Sequence, residues 1–125
     1  MSSKNFISSE KIYFSTLYFC NNFNLSSKKI SSRSFIKQIG KQLLPGIITP
    51  RRYNGLGKDL LHQAQVMRAI SRLSPSLALS YIAHSNLCTM QIINFGSQQQ
   101  KNSLLPSLAS GKTIGALAIT ETEIG

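Results

Sequence analysis

Residues 74–96 read SPSLALSYIAHSNLCTMQIINFG, and the reading of this stretch decides the fold. Ser74 followed by Pro75 is a helix start: a hydroxyl to cap the free amides, then a proline at the first helical position, where its missing N–H is no loss. Gly96 is the matching stop. Between them the apolar residues fall on most sides rather than on one stripe, so the spacing predicts one long helix from about Pro75 to Phe95, buried on most sides at the centre of a helical domain. Its polar residues, His84, Asn86, Cys88 and Gln91, pose the question of function.

Upstream, FIKQIGKQLLPG places Phe35, Ile36, Ile39, Leu43 and Leu44 at helical spacing, with Pro45-Gly46 as the stop. ITPRRYNGLGKD then reads as loop, with Asn54, Gly55 and Gly57 able to take positive φ. Asp59 is a candidate N-cap for a helix to about Leu73 whose stripe is Leu60, Ala64, Met67 and Ile70. Downstream, Ser97 and Gln100 have capping-box spacing for a helix with Leu104, Leu105 and Leu108 inward and Gly111 at its end; Pro106 is expected to kink or shorten it. TIGALAIT, residues 113–120, is apolar and β-branched and is expected to form a strand. A strand without a partner in its own chain implies that the rest of a sheet lies elsewhere.

Residues 1–34 form a separate Ser- and Lys-rich leader. It reads equally as a mitochondrial transit peptide or a poorly ordered tail, and its aromatic run Ile12–Cys20 equally as a packed helix or a short secretory h-region. The net charge of +10 rests on 14 Lys and Arg against 4 acids, a balance that favours anionic partners. The cations are scattered, however, with no RNA-binding aromatic signature or recognition helix, so no nucleic-acid partner is expected. No run of eighteen apolar residues exists, so no transmembrane segment is expected. Cys20 and Cys88 lack the spacing of a disulfide framework or a zinc site, and a reducing compartment is the default. His84 and Cys88 stand at i and i+4, but two ligands make no metal site; packing in the interior is the favoured role, and no metal is expected.

The order of words goes further than periodicity. Pro50-x-x-Tyr53-x-Gly55-x-Gly57, then VMRAISRLSPSLALSYIAHSNLC, QIINFGSQQQKNSLLPSLASG and IGALAITE, resembles the N-terminal domain of the FAD-dependent acyl-CoA dehydrogenases from about Phe35 to Gly125, most nearly those acting on isovaleryl-CoA. The resemblance implies a mostly α fold: a helical domain over 35–112 and, at 113–125, the first strand of a truncated middle β domain. It implies α,β-dehydrogenation of a short or branched acyl-CoA in the mitochondrial matrix, or alternatively the cytoplasm. FAD would be the cofactor, electron-transfer flavoprotein the electron acceptor and a homotetramer the assembly. By position it picks out Leu79, Ser80, Ala83 and Leu87 as the floor of the acyl pocket, and Leu117, Ala118, Ile119 and Thr120 as the backbone and hydroxyl that meet the flavin. Core packing predicts the same stripe. No catalytic residue is assigned, because the family's glutamate base falls beyond Gly125.

This chain departs from the pattern in three places: TETEIG replaces TEPxAGSD, Arg68 and Ala69 replace two acids, and YNGLG replaces YGGxG. The competing expectation, from a different class, is a non-catalytic helical remnant or interaction module with a basic leader.

Overall fold

The structure is a computed structural model and describes residues 8–22 and 30–123. Six α-helices pack as one helical body: α1 (Ser9–Asn22), α2 (Ser32–Gly40), α3 (Leu60–Leu73), α4 (Pro75–Ile82), α5 (Met90–Phe95) and α6 (Gln98–Ala109). A π-helical segment, Ala83–Thr89, joins α4 to α5, so the opening stretch is one continuous rod with a changed pitch at its centre.

The caps follow the sequence closely. Asp59 accepts from His62 N at 3.0 Å, Ser74 from Leu77 N, and Ser97 and Gln100 close a reciprocal capping box. Each satisfies amides that the first helical turn leaves without carbonyl partners. At the other end of α6, Gly111 takes φ +67°, a left-handed stop that a side chain would strain.

Three details differ from expectation. First, α2 stops at Gly40, before Leu44, because Leu43 turns left-handed at φ 55° and a 3₁₀ turn over Leu44–Gly46 follows. Second, α3 is rotated: its buried face is His62, Gln63, Val66, Ala69 and Ile70, whereas Leu60 and Ala64 are exposed. The face at 62, 66, 69 and 70 satisfies the same helical period, and the polar His62 and Gln63 conceal it in sequence. Third, α6 runs through Pro106 to Ala109. The hydrogen bond that proline cannot make would have gone to the carbonyl of Asn102, an exposed residue that water can reach.

The core forms where α1, α2, α3 and α4 meet, around Cys20, Phe35, Ile36, Ile39, Ile47, Val66, Ile70 and Tyr81. Within the leader, the Ile12–Cys20 run is a packed helix: α1 lies on α3, burying Ile12, Thr16 and Cys20, and Arg68 stacks 4.9 Å over the Tyr13 ring. A second, smaller core joins Tyr53, Leu105 and Leu108 beneath α5 and α6.

YNGLG is a turn, with Asn54 at φ 63° and Gly57 at φ 59°. Leu56 N, Gly57 N and Lys58 N donate back to the carbonyls of Gly46, Thr49 and Ile47, folding residues 44–58 onto themselves.

The strand expected over residues 113–120 is not formed. Among the described residues there is no strand, and from Ile114 to Thr120 the chain is irregular and mostly exposed. A strand is stable only through ladder bonds to a neighbour, and no neighbour is available here.

Candidate functional site

The π segment builds the central feature. Thr89 Oγ1 donates to the carbonyl of His84 at 2.9 Å, five residues back, and Ser85 Oγ donates to the carbonyl of Tyr81 at 2.9 Å. Hydroxyls that bond to helix carbonyls compete with the regular ladder and bend it, and π segments commonly occur where a helix carries function. Tyr81, fully buried, anchors the rod by donating from its hydroxyl to Leu44 O at 3.1 Å; burial pushes its pKa up.

His84 is fully buried and both ring nitrogens are committed. The Gly115 N–H donates to Nδ1 at 3.0 Å, which leaves the proton on Nε2, and Nε2 donates to Leu108 O at 3.1 Å. The imidazole is therefore held neutral in one tautomer, and desolvation lowers its pKa, against a smaller opposing effect of the Leu108 carbonyl. Cys88 does not bond His84. Its half-buried thiol packs on Gly115, so tightly that a Cβ there would overlap the sulfur, and it interacts with the backbone of Ala116; burial raises its pKa. The pair at i and i+4 is thus a clasp that holds the start of the C-terminal segment to the long helix. It has no geometry for nucleophilic catalysis, and no group of three metal-ligating side chains exists among the described residues.

Around this clasp lie the residues singled out in sequence. Leu79 is 69% exposed and Leu87 40%, while Ala83 and Ser80 are half-buried. Ser80 Oγ lies 2.8 Å from Ser32 Oγ and donates to Ser76 O at 3.2 Å, so its hydroxyl is engaged inside the domain. Leu117 is 45% exposed and Ile119 74%, with Ala118 and Thr120 exposed as well. Through the clasp, residues 115–116 are pinned beside His84 and Cys88, the chain neighbours of Ala83 and Leu87. Residues 117–120 follow directly after that anchor in the chain, and the π pitch removes the exact i, i+4 stacking that Ala83 and Leu87 would have on an α-helix. Asn86, one of the polar residues of this stretch, has its Oδ1 sealed from solvent without a partner among the described residues. Its only sequence signal is a poor helix former in mid-helix.

Residues 117–120 make no backbone hydrogen bond among the described residues. Free amides and carbonyls flanked by exposed apolar side chains suit the polar edge and flat face of an isoalloxazine ring, so the residues present fit a flavin. A cluster of exposed large apolar side chains on a small domain is also what a covered face looks like when its cover is elsewhere.

Known proteins share this sequence and fold. The acyl-CoA dehydrogenase N-terminal domain family model matches residues 24–112. Mitochondrial isovaleryl-CoA dehydrogenase of Bos taurus is 47% identical over 93 residues, covering 74% of this chain and 22% of that protein. The mitochondrial isovaleryl-CoA dehydrogenase of Arabidopsis thaliana is 47% identical over 89 residues, 71% of this chain and 22% of that protein. The chain thus spans about a fifth of the length of these relatives. Among solved structures, the acyl-CoA dehydrogenase of Bacillus anthracis complexed with FAD superposes with TM-score 0.81 at 28% identity, over 100% of this chain and 22% of that one. A chain from a structure described as the electron transferring flavoprotein of Acidaminococcus fermentans superposes with TM-score 0.85 at 26% identity, over 100% of this chain and 34% of that one.

Proposed function

Because the chain belongs to the acyl-CoA dehydrogenase family, we propose that it supplies the acyl-pocket floor and one flavin-contacting segment of an FAD-dependent enzyme that dehydrogenates a short or branched acyl-CoA such as isovaleryl-CoA. The observation that carries the reading is the clasp. It fastens Gly115, two residues before the exposed run that starts at Leu117, to His84 and Cys88 of the helix that carries Leu79, Ala83 and Leu87, which supports a shared site.

In this reading Leu79, Ala83 and Leu87 present the apolar floor that excludes water and limits chain length, since a volume filled by branched side chains rejects longer acyl groups. Ser80, tied to Ser32 and Ser76, holds its turn of α4 in place. The backbone of Leu117, Ala118 and Ile119, with the Thr120 hydroxyl, orients the flavin edge. FAD, when bound, accepts the hydride from the acyl Cβ. No residue of this chain is assigned as the base. The reading carries with it acyl-CoA as substrate, electron-transfer flavoprotein as acceptor, a homotetrameric assembly and a mitochondrial matrix location, the last supported by the names of the relatives.

The test is a chimera in which residues 30–120 replace the matching segment of the bovine enzyme, assayed with isovaleryl-CoA and with longer straight-chain acyl-CoAs. Activity with isovaleryl-CoA, and a wider chain-length range on trimming Leu79 and Ala83 to Gly, is expected. A folded, flavin-loaded chimera with unchanged specificity after trimming refutes the pocket assignment. The isolated chain is expected to show no flavin bleaching by isovaleryl-CoA.

A further inference from the structure

A cavity lies elsewhere, between α1 and the folded loop 42–58. It measures about 580 Å³, within the range of small-ligand sites, and shares no residue with the face described above. Its walls are apolar: Ile12 and Phe19 from α1, and Leu44, Ile47 and Leu56 from the loop. Two cations, Lys11 and Lys58, also line it, one from each side. Neither has a carboxylate within ion-pair range among the described residues: Asp59, beside Lys58, is bonded to His62, and Glu10, beside Lys11 on α1, pairs with neither. No acidic side chain lines the cavity at all.

Thr16 also lines the cavity and is 2% exposed, but its Oγ1 is closed off even from a water-sized molecule and belongs to the packed wall.

A cavity with apolar walls and two ammonium groups that have no carboxylate partner among the described residues suits a single-chain amphiphile with an anionic head. We propose that this cavity binds such a molecule, its chain against Ile12, Ile47 and Leu56 and its head between Lys11 and Lys58. The head can come from a free alkyl carboxylate or from an anionic lipid, and the two differ in how they are presented.

The probe is dansyl-labelled undecanoate titrated into the full chain, then displaced by decanoate or by decanol. Saturable binding is expected, with decanoate displacing it at least tenfold better than decanol, which has the chain without the charge. The paired substitution Lys11→Glu with Lys58→Glu should weaken binding tenfold or more. Lys101→Glu with Lys112→Glu, which changes net charge equally at a distance, and Phe95→Ser, which removes an exposed apolar residue, should leave it unchanged. Circular dichroism spectra of the charge-reversed variants that match that of the unaltered chain guard against loss of folding as an explanation. Sedimentation with phosphatidylglycerol vesicles that disappears on reversing Lys11 and Lys58 would assign the head to a lipid; decanoate binding without such sedimentation would assign a free carboxylate. Equal displacement by decanol, or equal weakening by the Lys101 and Lys112 pair, overturns the proposal.

Discussion

Gly115→Ala is the sharpest perturbation of the clasp. An added Cβ would overlap Cys88 Sγ and stand 2.7 Å from Cys88 Cβ, so the segment must lift away from the helix. Lifting it breaks the 3.0 Å bond from Gly115 N to His84 Nδ1 and leaves a fully buried acceptor without a partner. Losing such a partner costs about 1–3 kcal/mol. Taking about 2 kcal/mol, and about 3–5 °C per kcal/mol for a domain of this size, the melting temperature should fall by roughly 6–10 °C. The measurement is thermal unfolding followed by circular dichroism at pH 7.5, on a cycle of Gly115→Ala, Cys88→Ala and the double variant. Removing Sγ relieves the worst overlap, so the double variant should be more stable than additivity predicts by about 0.5 kcal/mol or more. A neutral Gly115→Ala, or strict additivity of the two changes, would refute the clasp as the device that places residues 117–120.

The His84 geometry sets a pH dependence. The folded chain holds the ring neutral with a pKa below 6.5, so below that value the unfolded chain binds the extra proton and stability should fall with pH; above it the contribution is complete. Urea unfolding from pH 8 to 5 should show this slope, reduced in His84→Gln, and an equal slope in both would count against it. Thiol labelling should separate the cysteines: Cys20 is fully buried with its pKa raised by burial to about 11, so native alkylation at pH 8 should reach Cys88 first and Cys20 only on unfolding. Equal labelling rates would mean that α1 is not docked on α3. Arg68→Ala tests the same docking, with an expected loss of about 0.5–1 kcal/mol from the stack on Tyr13; no loss, in Tyr13→Ala as well, would remove that contact from the account.

Much of the fold was legible because its punctuation is local. Asp59, Ser74 with Pro75, Ser97 with Gln100, and Gly111 each act within four residues, and the structure uses every one as the chemistry dictates. Two misreadings are local, the early end of α2 at left-handed Leu43 and the run of α6 through Pro106; the others are non-local. The buried face of α3 begins with His62 and Gln63, whose burial depends on what packs against them, so apolar periodicity pointed to Leu60 and Ala64. TIGALAIT has strand composition, but composition supplies no partner. The leader was open between tail, targeting segment and packed helix because its serines dominate the composition, while Ile12, Thr16 and Cys20 are buried by α3 and the loop rather than by each other.

The candidate site shows the same division. The stripe at 79, 83 and 87 could be read from spacing, yet the feature that gives it a neighbour could not. His84 and Cys88 stand at i and i+4, the contact spacing of an α-helix; sequence favoured packing over a reactive pair, but not the partner they pack on, and the helix is not α there. A π pitch set by Ser85 and Thr89 hydroxyls turns the two side chains toward a segment about thirty residues downstream, where Gly115 is needed because nothing larger fits against the thiol. The histidine and cysteine are therefore best understood as structural: they consume their own polarity in fastening residues 115–116, while Leu79, Leu87 and residues 117–120 stay exposed, as the proposed roles in meeting acyl chain and flavin require.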